Sequence, residues 1–413
     1  MLLEHFDGKS RLRRGITRRS FMKGAGAATL SFTIMKPSLV SGTQVNSRLE
    51  VGVIGLGGRG RWIAGLIEKH GGYQITSVAD YFPEVVNAAG EQFKVSKERR
   101  FSGLSGYKKL IAGKPDAVFL ETPPYCFADH VKAAVEAGCH VYIAKPLACD
   151  VAGCLAVAEM GRKATAANKV FLVDFQTRTD PFFIEGIKRV HRGDIGKIGM
   201  LSSVYTDDGF SDPPKTATIE SRLQRLIWTN DVALGGGMFV NSGIHAIDVA
   251  LWLAGKKPIS ATGSARVAKA NPNGDTNYLY SVTYEFEDGV ILNHRGEHLR
   301  NRKDFSSDCD AYCQEGFLET SYSGQVRMLG IHAGYRGGKV ENLYVQGAIR
   351  NIATFHKSIV NKIYDNPTLE PSINSTLATI LGRQAAGRNT RVTWDQMVRG
   401  NERLEVDFTG LTE

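Results

Sequence analysis

Between residues 55 and 80 the chain carries three glycines and a carboxylate whose spacing suits the binding of an anion. Gly55, Gly57 and Gly60, in the run Gly55-Leu-Gly-Gly-Arg-Gly60, follow the apolar run Leu49–Ile54 and open a helix-type stretch; Asp80 ends the next apolar run. Gly55 permits a tight turn, Gly57 lets the backbone approach a pyrophosphate, and Gly60 lets the helix pack close to the strand. The helix start, with Gly58 and Arg59, faces the anion. Asp80 would accept hydrogen bonds from adenosine ribose hydroxyls and repel a 2′-phosphate, which favours NAD over NADP. The competing reading is a glycine-rich turn without ligand, against which four elements in register argue.

Asn241, His245 and Asp248 form a second set with proton-handling chemistry. Their spacing puts them on one face of a helix expected from about Ser242 to Leu253, with Gly235-Gly-Gly leading in and Gly255 as the stop signal. A helix start disfavours imidazolium, so His245 is expected to be neutral, as a general base must be. A lone helical histidine is more often structural, and Asn241 or Ser242 would also serve simply as an N-cap.

The elements that must position these groups follow from periodicity. Leu49–Ile54, Tyr73–Ala79, Ala117–Leu120 and His140–Ile143 read as strands, separated by helical stretches such as Asp129–Ala137. That alternation predicts an α/β fold with a doubly wound parallel sheet, a Rossmann domain over residues 46–165. Lys145 then sits at a strand end, where open α/β sheets hold their ligands. From about Gly196 to Leu329 apolar and polar residues alternate between turn signals such as Glu287-Asp-Gly289, as in a large, mostly antiparallel open sheet. Helices return over Asn351–Val360 and Ser372–Gly387, so residues 166–413 are expected to form a second α/β domain for substrate and oligomerisation.

Thr122-Pro123, His130, Ala137-Gly-Cys-His-Val-Tyr-Ile-Ala-Lys145-Pro146 and Gly235-Gly-Gly-Met-Phe-Val-Asn-Ser-Gly-Ile-His245-Ala-Ile-Asp248 resemble the glucose–fructose oxidoreductase/inositol dehydrogenase (Gfo/Idh/MocA) family, from about residue 49 to the C-terminus. The resemblance implies hydride transfer from a carbinol carbon of a sugar or polyol to NAD. It implies that Thr122, Pro123, His130 and Lys145 lie at the cofactor and that Lys145 contacts the hydroxyl being oxidised, stabilising developing alkoxide. Gln176, Arg178 and Asp180 look like the family's substrate-side loop, with Asp248 beside it, and Tyr205 and Trp228 are candidates to stack on a sugar face. Two positions depart from the family motifs: Ala144 replaces the Glu of E-K-P, leaving Lys145 one partner fewer, and Asn241 replaces an Asp. A homo-oligomer, dimer or tetramer, is implied by the resemblance. Two rival functions remain at this stage: a glycosidase or lyase that oxidises its sugar only transiently on bound NAD, and a non-catalytic periplasmic sugar-binding protein.

Composition narrows the setting. Of the formal charge of +9 over 413 residues, most belongs to residues 1–45, which carry eight basic and two acidic side chains. The remainder is a weak case for nucleic acid, which is not an expected partner. Within that head, Thr17-Arg18-Arg19-Ser20-Phe21-Met22-Lys23 resembles the twin-arginine consensus and precedes an apolar stretch, Gly24–Met35, too short to span a bilayer. Residues 1–45 are therefore expected to be an export signal read by the twin-arginine machinery, with a periplasmic or otherwise exported destination. An exported dehydrogenase has no maintained NAD pool around it, so a tightly bound, internally recycled cofactor is expected. The six cysteines form neither C-x-x-C nor a zinc-type pattern, so no metal is expected and buried free thiols are favoured.

Overall fold

The structure, a computed structural model, describes residues 48–413; the segment of the export expectation lies outside the described residues. β1 (Leu49–Ile54) leads through the glycine turn into α1 (Gly58–His70), which Gly71 closes in the left-handed conformation (φ 80°) before β2 (Tyr73–Asp80). The chain continues through α2 (Pro83–Gln92), β3 (Arg100–Ser102), α3 (Gly106–Ala112), β4 (Ala117–Leu120), α4 (Phe127–Glu136), β5 (His140–Ala144), α5 (Val151–Ala166) and β6 (Phe171–Asp174). The six strands pair in parallel in the order β3-β2-β1-β4-β5-β6. β4, β5 and β6 are almost wholly buried because helices cover both faces, which is why they read as continuous apolar runs. The strand order reverses between β1 and β4, the crevice where such sheets bind ligands.

β6 pairs with β5, so the first sheet runs to Asp174 and not to about residue 165 as the change in sequence texture suggested. The strand that looked like the start of a second domain is the last strand of the first. After α6 (Pro181–Arg192), β7 (Ile198–Thr206) and α7 (Ile244–Ala254) come β8 (Ser260–Arg266), β9 (Leu279–Glu285), β10 (Ile291–Glu297), β11 (Ser306–Cys313), β12 (Gly316–Ser321), β13 (Gln325–Gly330) and β14 (Gly334–Lys339). With β15 (Val392–Thr393) they form a nine-stranded sheet, β14-β13-β12-β11-β7-β10-β9-β8-β15, in which only β7 and β10 run parallel. This is the mostly antiparallel open sheet expected from the alternation.

Two C-terminal helices complete the layers: α8 (Leu343–Val360) and α9 (Leu369–Arg388). α8 was expected in the second domain. Instead its apolar residues Ala348, Ile352 and Phe355 pack with Val51, Val53, Ile63 and Phe119, so it covers one face of the parallel sheet beside α1. α9 is buried along its length, and its Ile373, Leu377 and Leu381 share one core with Leu120, Ile143, Ile247 and Tyr284. That core runs continuously from the other face of the parallel sheet to the inner face of the nine-stranded one. The apolar stretch Val232–Ala254 is long enough to cross a membrane, but 83% of it is buried in the protein. All six cysteines are free, four of them buried.

Candidate active site

The glycine turn has the geometry its residue types predict. Gly55 stands at φ +88°, and a Cβ there would meet the backbone of Glu121 at 2.6 Å; a Cβ on Gly60 would fall 1.8 Å from the Gly55 carbonyl oxygen. Gly57 and Gly58 face open space, with no atom within 4 Å of a notional Cβ. Asp80 Oδ2 accepts the Leu56 N–H at 2.6 Å and its Oδ1 accepts the Phe82 N–H at 3.1 Å. Burial raises the Asp80 pKa, and the backbone donors offset part of that rise.

These residues open on a cavity of about 440 Å³, lined among others by Gly57, Gly58, Asp80, Thr122, Pro123 and His130. His130 is buried, its Nδ1 stands 3.2 Å from Thr122 Oγ1, and burial pushes its pKa down to about 3, so it is neutral. Bare backbone at Gly57 and Gly58, a helix start and an oriented carboxylate at the second strand end fit a dinucleotide. Trp228 lines this same cavity, together with Leu223, Arg225 and Phe408. It therefore borders the dinucleotide crevice.

Lys145 follows the last residue of β5, and its Nζ donates to the Asn241 carbonyl at 2.7 Å. Asn241 belongs to a π-turn, Phe239–Gly243, that runs directly into α7. It is thus neither an N-cap nor a side-chain partner of Lys145; its backbone oxygen makes the contact. His245 sits in the first turn of α7, its ring stacked on Tyr205 (6.2 Å between centroids, 14° between planes) and edge-on to Tyr322. Nδ1 is buried without a hydrogen-bond partner among the described residues, which leaves Nε2 as the nitrogen with access to open space. The imidazole pKa lies well below its ordinary value, through burial first and then the charges of Lys145 and Arg59. The expected neutrality therefore has another cause: the helix start is occupied by the preceding π-turn, and desolvation takes its place. Burial, followed by the neighbouring Arg59, also lowers the Lys145 pKa to about 7.

Arg59 does not line the dinucleotide cavity. Its guanidinium crosses to the strand ends, where Nε stands 3.0 Å from Glu121 Oε2, Nη2 binds Asp174 and Nη1 donates to the Tyr344 hydroxyl at 2.8 Å. Asp174 also accepts from Gln176 Nε2 at 3.0 Å and from Asn351 Nδ2 at 2.7 Å. Gln176 Oε1 is buried with no hydrogen-bond partner among the described residues. Arg178 forms a two-pronged ion pair with buried Asp248, which also accepts from Ser375 Oγ at 2.6 Å. Asp180 caps α6 through the N–H groups of Phe182 and Phe183. Of the substrate-side residues expected at 176–180 and 248, Arg178 and Asp248 pair with each other, Gln176 Nε2 bonds Asp174 and Asp180 caps α6, while Tyr205 borders His245. Glu121, Asp174, Asn351 and Tyr344 were not singled out in the sequence; only the strand-end positions of Glu121 and Asp174 offered a signal.

The NAD-binding Rossmann fold model of the GFO_IDH_MocA oxidoreductase family matches residues 49–175, and the GFO/IDH/MocA C-terminal domain model matches residues 186–319. The chain belongs to the GFO/IDH/MocA family. Among curated relatives, the inositol 2-dehydrogenase of Rhizobium meliloti is 24% identical over 347 residues, covering 82% of this chain and 96% of that one. Among solved structures, the aldose-aldose oxidoreductase of Caulobacter crescentus complexed with glycerol superposes with a TM-score of 0.66 at 20% identity, over 84% of this chain and 99% of that one. GenD2 from gentamicin A biosynthesis, in complex with NAD, gives 0.67 at 17% identity, over 85% and 98%. At these identities the structural likeness speaks for the fold. The NAD-binding match ends one residue past β6, in agreement with the sheet. Within this GFO/IDH/MocA chain, Ala144 is the last residue of β5 and pairs with Asp174.

Proposed function

We propose that the chain oxidises a carbinol carbon of a sugar or polyol on a nicotinamide dinucleotide that it retains between turnovers. The observation that carries this reading is that Lys145, at a strand end of the parallel sheet, donates to the Asn241 carbonyl just ahead of α7, and its charge bears on His245 in the first turn of that helix, in a fold whose neighbouring strand ends line a crevice suited to a dinucleotide. His245 Nε2 takes the hydroxyl proton, since the neutral ring has a free lone pair and little tendency to be protonated beforehand. Lys145, when protonated, stabilises the oxygen as it becomes alkoxide. Tyr205 holds the imidazole plane. The nicotinamide, when bound, supplies the hydride acceptor.

Asp80, fixed by two backbone donors, supports NAD over NADP. Retention is supported by what lines the crevice: Leu223, Arg225 and Trp228 from one loop and Phe408 from the C-terminal tail face the same cavity as Gly57 and Asp80. A cofactor retained between turnovers is reoxidised in place by a second substrate or a later step, which suits the export suggested by Arg18 and Arg19. Self-association is supported by the outer face of the nine-stranded sheet. There Ile291, Met200, Tyr312, Phe317 and Leu329 pair in one row across five strands, and four of them are exposed.

The test is to extract purified protein, identify the released nucleotide by mass spectrometry, and assay a panel of polyols, aldoses and glycosides for oxidised product. About one NAD per chain and an oxidised sugar or polyol support the reading. Release of an aglycone without net oxidation would replace it with the transient-oxidation chemistry, and binding without turnover would replace it with a sugar-binding protein.

A further inference from the structure

Parallel register puts three residues side by side at the last level of β5, one residue before Lys145. Leu120 of β4 pairs with Ile143 of β5, so Glu121, the next residue, stands beside Ala144; on the other side Ala144 pairs with Asp174 of β6. Side chains at one level of a parallel sheet project to the same face, about 4.8 Å apart. A methyl group at 144 is therefore flanked by two carboxylates, and both are fully buried.

Asp174 is saturated by Arg59, Gln176 and Asn351. Glu121 is not: apart from the ion pair with Arg59, neither of its oxygens has a hydrogen-bond partner among the described residues. It borders the dinucleotide crevice. A buried carboxylate with spare acceptor capacity is costly, and burial raises the Glu121 pKa to about 7 despite Arg59. Arg59 itself is fixed by Tyr344 and by stacking near Trp62.

We propose that Glu121 is a positioning residue of the redox site: together with Asp174 it stands in, from the strands flanking β5, for a carboxylate at position 144 and keeps Lys145 charged. The groups facing Lys145 are Arg59 from α1, Glu121 beyond β4, Asp174 at the end of β6, Asp207 beyond β7 and His245 in α7. Arg59 pushes the ammonium towards neutrality, and the three carboxylates oppose it. Glu121 is thus part of the counterweight to Arg59, and removing it leaves Asp174 as the guanidinium's one carboxylate partner among the described residues.

This inference rests on the proposed role of Lys145, yet it is readable without turnover. Lysine labelled with ¹³C at Cε reports each amine by NMR; Lys145→Met assigns the signal, in protein as purified and after charcoal treatment. Glu121→Gln should move the Lys145 titration to lower pH by about one unit, a tenfold loss of the protonated form above the midpoint. Ala144→Glu in the Glu121→Gln background should move it back, because the carboxylate returns to the same level of the sheet. If Glu121→Gln does not fold, Glu121→Asp, which withdraws the charge without deleting it, should give a smaller shift in the same direction. An unmoved titration in the folded variant, or a shift that Ala144→Glu leaves unrepaired, overturns the proposal. In active protein the alkaline limb of kcat/KM should follow the same shifts; a moved titration with no turnover of any sugar or polyol would overturn the proposed function and leave the electrostatic role of Glu121 standing.

Discussion

His245 and Asp80 differ in how they do their work, and the difference sets what their removal does. His245→Ala removes the base but no wall of the dinucleotide cavity, so the variant should keep its nucleotide and lose on the order of 10²–10⁴-fold in turnover; near-normal turnover would return His245 to a packing role. Asp80 holds Leu56 and Phe82 as well as facing the crevice. Asp80→Ala should therefore weaken NAD by about 1.5–3 kcal/mol and narrow its advantage over NADP in titration calorimetry. Residues whose backbone geometry demands their type were legible in advance: Gly55 and Gly60 because a Cβ has nowhere to go, Asp80 because it ends a strand after the glycine turn. The Arg59–Glu121–Asp174 cluster was not legible. Its members are brought together by strand register across more than a hundred residues, and nothing local in the sequence records which buried charges will share a partner.

At the scale of elements, the strands and helices of the parallel sheet followed from period and punctuation, and two memberships did not. β6 is a four-residue apolar run that fits either sheet, and α8 shows its apolar face to a layer laid down nearly 300 residues earlier. Both outcomes were decided by tertiary packing. The C-terminal tail is a third such case. Leu404 N–H donates to Asp150 Oδ2 at 2.7 Å, Phe408 packs edge-on against Tyr125, and Thr412 bonds Leu104 and the Tyr81 hydroxyl, so the tail lies along the rim of the crevice. Phe408→Ala should release retained dinucleotide up to about tenfold faster, the worth of one aromatic contact, as read by fluorescence of the reduced cofactor during dilution. A release rate equal to that of the parent would remove the tail from cofactor retention.

The whole molecule stores several imidazoles in neutral form. Burial lowers the pKa of His130 and His294 to about 3 and holds that of His245 well below its ordinary value. The unfolded chain binds protons there that the folded chain refuses, so stability falls as pH falls below about 6.5. Glu121 and Asp310, raised to about 7 and about 6, act in the opposite sense, but only above the ordinary carboxylate range. Between about pH 4.5 and 3 the histidines stand unopposed by these two groups. The two imidazoles held near 3 give a loss of up to about 2.7 kcal/mol per pH unit near pH 4.5 in urea unfolding, and His245 adds to it; a flat profile across that window would contradict the buried neutral histidines.

One measurement on the intact protein tests the central claim most directly: absorbance in the reduced-nicotinamide band when purified protein, with no nucleotide added, is mixed with a polyol or aldose that it turns over. The account predicts a rise of close to one equivalent per chain, its decay when a carbonyl acceptor is supplied, and a rise slowed on the order of 10²–10⁴-fold with His245→Ala. Stable absorbance with every substrate despite a full complement of bound nucleotide, or a dependence on free NAD with reduced nucleotide accumulating in solution, would contradict it.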